Sequence, residues 1–359
     1  MTTRRHILLL AAGLLALGGC QEKFDLATLP QQPDTVIDTS YVPISPSFTG
    51  FQGAEDIMIG RDQLLYVADT RANRIVMMNR AGEVMSTRTM LHPRSIAQDT
   101  RLDLIVGGEV VAPNGDTAGA LFRIHLVSPS PDIAHRLERS TIDTVWRELA
   151  HPVRRFPGVI VFGDNEYLVV RDGPDNGSFI DPDARVLWFD RTDRFITPLS
   201  ALSTRVGSGI ADINHPTSIA AFPGVRDFVL GQSSQGVTYG ALWFVFQRTS
   251  DFEGWLPRFD PARPEDFNVD FIRPNRYLRP EAVTADPVRR DLFVADAGLD
   301  SVFKFNNRGT FRSESFGAVR TRGAMRRPTG LAFFEKVLYV LDGDTGEILR
   351  FRLASDVPR

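Results

Sequence analysis

Three histidines of this 359-residue chain stand directly before a proline, at His92, His151 and His215, and among the arginines that do the same are Arg279 and Arg327. One step past those prolines come Arg94, Thr217, Glu281 and Thr329, and Glu55 occupies a matching segment without the proline, Gly53-Ala54-Glu55-Asp56-Ile57. Three imidazoles and two carboxylates are a donor set that a divalent metal can use. A second acidic set, Asp172, Asp175, Asp181 and Asp183, lies in RDGPDNGSFIDPDA, where hard oxygen ligands would suit Ca²⁺. The glycines and prolines among them are equally those of a surface loop. Tyr239, Trp243, Phe252, Trp255 and Phe259 offer rings that could grip a peptide or a sugar. Trp243 reads as a core residue of a strand, and Trp255 as the one facing the surface.

The polar run Asp69-Thr70-Arg71-Ala72-Asn73-Arg74 inside LLYVADTRANRIVMMN is a further candidate, but it has relatives in LFVADAGLDSVFKF (292–305) and LYVLDGDTGEILRF (338–351). Val67 and Ile75, Val294 and Val302, and Val340 and Ile348 share one spacing, with Asp69, Asp296 and Asp342 in register. Alternating apolar residues on both sides of a polar turn mean strand–turn–strand. The polar run is therefore a repeated hairpin turn, and Asp342-Gly343-Asp344-Thr345-Gly346-Glu347 is its last copy, without the span of a twelve-residue Ca²⁺ loop. Upstream of the hairpins stands the His/Arg-Pro signal, which the first hairpin has only in the proline-free form Gly53-Ala54-Glu55-Asp56-Ile57. Downstream comes a second polar turn, as in Asn79-Arg80-Ala81-Gly82 and Asn306-Asn307-Arg308-Gly309, where Asn and Gly supply the positive φ that tight turns need.

Six units of four short strands follow, starting near residues 53, 92, 151, 215, 279 and 327. Such periodicity indicates an all-β fold, a six-bladed β-propeller. The pattern resembles the NHL repeat, closely in the first, fifth and sixth blades and loosely in the others; only the first blade has the full Asp69-Thr70…Asn73-Arg74-Ile75 form. The resemblance covers the chain from about residue 50 to its end. It implies that the last blade borrows a strand from Tyr41–Ile44 and closes the ring without an exposed edge.

In such a ring the His/Arg-Pro entries and the hairpin turns lie on one face. The second, third and fourth blades elaborate those turns as Gly107–Gly119, Arg171–Ala184 and Gly231–Gly240, and the connections at roughly 129–150, 200–214 and 249–278 are long. A rigid disc with loops on one side is a common binding surface. The binding candidates are His92, Arg94, His151, His215, Arg279, Glu281 and Arg327 near the axis, with Tyr239 and Trp255 beside the fourth-blade insertion. The metal candidates are Glu55, Glu281, Asp172 and Asp175. Recurrence of a His or Arg at one register favours the plainer role of capping carbonyls at each blade junction, since a structural role repeats with the fold and a site breaks the symmetry.

The N-terminus carries a basic start, Thr3-Arg4-Arg5-His6, an eleven-residue apolar run, Ile7–Leu17, then Gly18-Gly19-Cys20. Eleven residues are too few to span a bilayer, for which about 20 are needed. The order is that of a secretion signal, and Leu17-Gly18-Gly19-Cys20 resembles the bacterial lipobox, which implies acylation of Cys20 (palmitate and related chains) after removal of residues 1–19. Thr3–Leu8 also resembles a twin-arginine export motif. Residues 20–45 read as a polar, proline-dotted tether and 46–359 as the propeller. The expected location is extracytoplasmic, held to the bacterial cell or outer membrane by lipid, and Gln21 after the cysteine leans towards the outer membrane. Formal net charge is −3, or −5 for the side chains left after cleavage, and no basic block stands out; a nucleic-acid partner is not indicated.

No G-x-S-x-G, H-E-x-x-H or glycine-rich phosphate loop occurs, and Cys20 is the only thiol. The leading expectation is a non-enzymatic module that presents its decorated face to an envelope protein, peptide or glycan, with no cofactor. The alternative is a Ca²⁺-dependent hydrolase or lyase, because related six-bladed propellers include calcium-dependent lactonases with axial ligands; Glu55 and Glu281 are the nearest equivalents here, and matching asparagines are not evident.

Overall fold

A computed structural model describes residues 40–127, 135–178, 180–199, 213–233, 238–260, 263–317 and 325–357. The first strand, β1 (Tyr41–Phe48), is set aside by the chain until the end. The first blade is β2 (Asp56–Ile59), β3 (Leu65–Asp69), β4 (Arg74–Met78) and β5 (Val84–Thr89), and the second is β6 (Ser95–Gln98), β7 (Leu104–Val111), β8 (Thr117–His125) and β9 (Thr141–Arg147). The third is β10 (Arg155–Val161), β11 (Tyr167–Asp172), β12 (Arg185–Phe189) and β13 (Phe195–Pro198). The fourth is β14 (Pro216–Ala221), β15 (Phe228–Gln232), β16 (Ala241–Arg248) and β17 (Glu253–Pro257). The fifth is β18 (Pro280–Ala285), β19 (Leu292–Asp296), β20 (Ser301–Phe305) and β21 (Phe316–Gly317). The sixth is β22 (Pro328–Phe334), β23 (Val337–Asp342) and β24 (Glu347–Leu353), with β1 as its outer strand. All six sheets are antiparallel and four-stranded, and Tyr41 pairs with Leu353 and Phe48 with Ile348. The ring closes as the repeat implies, and β1 takes in residues 41–45 from the stretch read as tether.

Each sheet is covered on both faces by its neighbours, so the middle strands are buried at every position instead of alternating, as in Leu65–Asp69 and Val337–Asp342. Among the described residues the core divides into six apolar clusters, one at each blade–blade seam. Outer strands meet solvent and turn polar, as in Val84–Thr89.

The turn aspartates latch the first, fifth and sixth blades shut. Asp69, Asp296 and Asp342 are fully buried. Asp69 accepts from the Gln52 amide at 2.6 Å, Asp296 from Leu278 and Arg279 at 2.7 and 2.9 Å, and Asp342 from Arg326 at 2.7 Å. Gln232 does the same in the fourth blade, accepting from Asn214 at 3.0 Å. A carboxylate on backbone N–H groups satisfies donors that the tight entry leaves unpaired. Hydroxyls then clasp blade to blade: Thr70 donates to the Pro93 carbonyl at 2.6 Å, Ser95 to Phe156 at 2.8 Å, Thr217 to Pro280 at 2.8 Å and Thr329 to Ala54 at 3.4 Å.

Several insertions differ from their reading as open loops on one face. Gly107–Gly119 is a lengthened hairpin: β7 and β8 stay paired out to Val111 and Thr117. Its glycines are there for room, since a Cβ at Gly107 would meet the Phe156 carbonyl and one at Gly119 the Arg154 carbonyl of the third-blade entry. The described residues after β8 and before β9, 126–127 and 135–140, lie on the face opposite the entries; there His135 Nε2 is 3.0 Å from Asp62. Within 249–278, β17 is an outer strand, and the rest packs Phe259, Phe271 and Tyr277 into the seam between the fourth and fifth blades. Residues 200–212 lie outside the described residues.

Candidate binding site at the axial mouth

The strand registers define which residues ring the axis. Asp56, Ser95, Gly158, Ser218, Ala282 and Gly330 are equivalent positions of the six innermost strands, pairing with Ala68, Gly107, Val170, Gly231, Ala295 and Leu341. The residues just before them are Glu55, Arg94, Pro157, Thr217, Glu281 and Thr329, and all six line one cavity of about 400 Å³ at the entry face. Asp172, His215, Pro216, Ser233 and Arg327 complete its wall. Below it the channel is lined by the innermost strands and encloses about 270 Å³.

This register corrects one assignment. In the third blade the entry residues are Arg155-Phe156-Pro157, and His151-Pro152 is a turn before them, with His151 exposed and its carbonyl accepting from the Arg154 amide at 3.0 Å. The structure brings Arg94, His215, Glu281, Arg327, Glu55 and Asp172 to the cavity. It does not bring His151, Tyr239, Trp255 or Asp175 there. His92 and Arg279 stand behind it, each bonded to one of its acidic neighbours. His92 and His215 have φ of 40° and 47°, the conformation Gly53 supplies at the same place in the first blade with φ of 62°; histidine tolerates that region better than most side chains.

Charge alternates around the mouth. Arg94 Nη1 lies 2.8 and 3.0 Å from the two Glu55 oxygens, while Nη2 reaches Glu109 at 3.4 Å. Glu109 also meets His92 Nδ1 at 3.0 Å and Arg155 Nε at 2.7 Å. Asp172 faces His215 Nδ1 at 3.2 Å, and Arg327 Nε turns away to Asp344 at 2.6 Å. Glu281 is the least engaged: Arg279 Nε is 3.3 Å away, and among the described residues no hydrogen bond reaches its carboxylate. Burial pushes the pKa of Glu281, Glu55 and Asp172 up against the pull of Arg279 and Arg327, of Arg94, and of His215 respectively. For Glu109 burial works the same way but the hydrogen bond from His92 and the charge of Arg155 outweigh it, and the carboxyl is held down. Asp56, in the channel wall below, is raised to about 7 by burial despite the amides of Ile96 and Ile57 at 2.9 and 2.8 Å.

The acidic insertion of the third blade is spent internally. Arg154 and Arg171, both buried, bind Asp181 at 2.7 and 2.6 Å; Arg154 also takes Asp183 at 2.6 Å, and Arg171 takes Glu148 at 3.1 Å. Asp175 caps the Gly177 amide at 2.9 Å. Trp255 is 2% exposed, packed among Phe162, Trp188 and Phe246, and donates Nε1 to the Arg226 carbonyl at 2.6 Å. Tyr239 packs against the seam of the fourth and fifth blades. Trp255 and Tyr239 are therefore part of the packing, because β17 buries the face of a ring that the sequence alone places in a loop, while Phe252 is exposed and does not line the cavity.

Among the described residues no group of three His, Cys, Asp or Glu side chains is arranged to hold a metal. The axial carboxylates do not fit a divalent cation as they stand, since Glu55 is held by both its oxygens to a guanidinium and Asp172 faces an imidazole. Glu109, Arg155 and the Arg154–Arg171 pair escape sequence reasoning; the only cue is that Arg171 stands where Asp69, Asp296 and Asp342 stand elsewhere.

No protein-family model and no curated protein matches this chain. Solved structures do resemble it. The apo form of the soluble aldose sugar dehydrogenase of Escherichia coli aligns with a TM-score of 0.58 and 13% identity over 88% of this chain and 99% of that one. An auxiliary nutrient binding protein of Bacteroides thetaiotaomicron gives 0.57 and 14% over 84% and 69%, and the calcium-binding protein regucalcin of Agrobacterium tumefaciens 0.57 and 10% over 87% and 94%. At such identities the likeness is one of fold. The chain is a six-bladed β-propeller.

Proposed function

We propose that this propeller is a lipid-anchored, extracytoplasmic binding module that takes a free amino end of an envelope peptide or protein into its axial mouth, without chemistry of its own. The observation that carries this is Glu281: a carboxylate facing a 400 Å³ cavity, with one loose ion pair and no hydrogen bond among the described residues. A partly buried acceptor of that kind gains most from a ligand that brings N–H donors and positive charge. Among the described residues the remaining wall is mostly polar and has no aromatic platform for a sugar ring. Asp172 and Ser233, where the insertions of the third and fourth blades begin, stand in its wall.

Calorimetric titration of residues 21–359 with tri-alanine, with N-acetyl-tri-alanine and with maltose tests the reading. Binding of the free-amine peptide alone, lost in Glu281→Gln, is expected. Binding unchanged by that substitution, or equal for the acetylated peptide, would overturn it. The anchor is tested separately: Cys20→Ser is expected to move the protein from the membrane fraction to the soluble one, and persistence in the membrane would remove the lipid from the proposal.

A further inference from the structure

The chain enters every innermost strand at the mouth, so the turns that join first to second strands lie on the opposite face. The start of β1 lies there too: Tyr41 pairs with Leu353 at the end of β24, and the Ser40 carbonyl accepts from the Ala354 amide at 2.8 Å. Residues 21–39, which lead back to Cys20, therefore join the propeller on the face away from the mouth. Beside that junction stands the turn between β18 and β19, Pro287-Val288-Arg289-Arg290. Lys304 links the two, with Nζ 5.6 Å from the centre of the Tyr41 ring and 3.1 Å from Asp291. Burial, Asp291, Asp286 and Glu314 push the Tyr41 hydroxyl up in pKa, and Arg289 is near enough to pull against them.

All four residues of the turn are exposed, Val288 at 87%. The turn is braced from beneath: buried Asp286 accepts from the Val288 and Arg289 amides at 2.8 and 3.2 Å, and its carbonyl accepts from the Arg290 amide at 2.9 Å. Neither Arg289 nor Arg290 has a carboxylate within ion-pair distance among the described residues. The other carboxylates nearby are taken, Asp291 by Lys304, Glu314 by Lys304 and Arg312, and Asp356 by Lys336. The two arginine charges thus exceed the one of Asp286. An apolar tip flanked by cations suits an anionic bilayer surface, where phosphates meet the guanidiniums and the side chain enters between headgroups. About 20 residues of chain reach at most about 70 Å, and two attachments joined so closely act at millimolar effective concentration. A contact too weak to bind alone then suffices.

We propose that the turn 287–290 docks on the anionic headgroups of the membrane that holds Cys20, and that this contact turns the mouth outward, towards ligands arriving from the side away from that membrane. This rests on the lipid anchor of the proposed function, and the test supplies a tether of its own so that the two can fail separately. Residues 21–359, with hexahistidine in place of Cys20, are held through a nickel-chelating lipid on vesicles of phosphatidylcholine, alone or mixed with phosphatidylglycerol. Without Cys20, the only cysteine, Val288→Cys is the single thiol and is labelled with nitrobenzoxadiazole. Its emission is expected to rise about twofold or more, with a shift to the blue, on the anionic vesicles alone. The rise is expected to vanish in Arg289→Gln/Arg290→Gln and at molar salt, and to be absent for a label at Val111→Cys, an exposed position on the mouth face. A label at 288 that anionic vesicles leave unchanged, an equal rise at 111, or a rise that survives the double substitution would overturn the proposal.

Discussion

Arg94 of the second blade holds Glu55 of the first through both carboxylate oxygens, and behind it Glu109 holds Arg94, Arg155 and His92 together. Two adjacent positions of the axial ring are thus tied to each other and, through one buried carboxylate, to the entry of the third blade. Glu109 is the hub, 2% exposed at its side chain while its partners keep partial access to solvent.

Removing that hub takes from Arg155 its carboxylate partner and from Arg94 its second one, Glu55 being the first. Loss of one member of a fully buried pair costs about 3–5 kcal/mol, and the partial exposure of Arg94 and Arg155 lowers the expectation for Glu109→Ala to about 2 kcal/mol. Urea unfolding of the variant measures it. An unchanged midpoint would mean that solvent already carries both arginines.

The latch aspartates were legible because they repeat: Asp69, Asp296 and Asp342 obey one spacing, and a turn that must accept entry amides constrains its residue type. Closure by β1 was legible for a related reason, since the sixth unit reaches Leu353 with three strands where the others have four. Glu109 was not, because it lies in an insertion that no other blade copies, and its partners are distant in sequence. His151-Pro152 imitated the entry signal four residues early, where a turn happens to use the same pair. Trp255 failed as a surface residue because burial of an outer strand depends on the neighbouring blade, here through Phe162 and Trp188, which no local pattern encodes.

Closure makes β1 the strand on which the ring depends. Tyr41 is 5% exposed and stacks on Phe316 at 5.2 Å, with an edge contact to Phe293 at 5.9 Å. Tyr41→Ala should cost about 3–5 kcal/mol, as for other large core aromatics. A chain beginning at residue 50 would leave the edge of β24 unpaired and is expected to associate, since open edges pair with other chains. Light scattering checks this; a stable monomer would show that β1 is dispensable.

Asp56 predicts a pH dependence with a definite sign. Its pKa is raised to about 7 from an ordinary 3.8, so between those values the native state holds one more proton than the unfolded chain. Stability then falls as pH rises through that window and is lowest above 7. Glu55, Glu281 and Asp172 shift in the same direction, so the comparison with Asp56→Asn isolates this group. The variant should lose ground to the wild type at pH 5 and recover it by pH 8, because asparagine does not titrate. Urea unfolding at four pH values reads the difference, and parallel curves would place the Asp56 pKa near that of an ordinary carboxyl.

The mouth also predicts its response to chelation. For Ca²⁺ to enter between Glu55 and Glu281, the two contacts from Arg94 to Glu55 must break, and the cation would have to displace a guanidinium that Glu109 holds from behind. Bound Ca²⁺ would stabilise by mass action in proportion to its affinity, whereas a site already neutralised by arginine gains little. We expect the melting temperature of residues 21–359 to be the same with EDTA and with millimolar Ca²⁺. The discriminating partner is Arg94→Met, which frees Glu55 beside Glu281: Ca²⁺ should raise its melting temperature, and that rise should vanish in Arg94→Met/Glu281→Gln. A Ca²⁺-dependent rise in the unmodified protein would show instead that the Arg94–Glu55 pair opens readily, and would return the axial carboxylates to the metal reading.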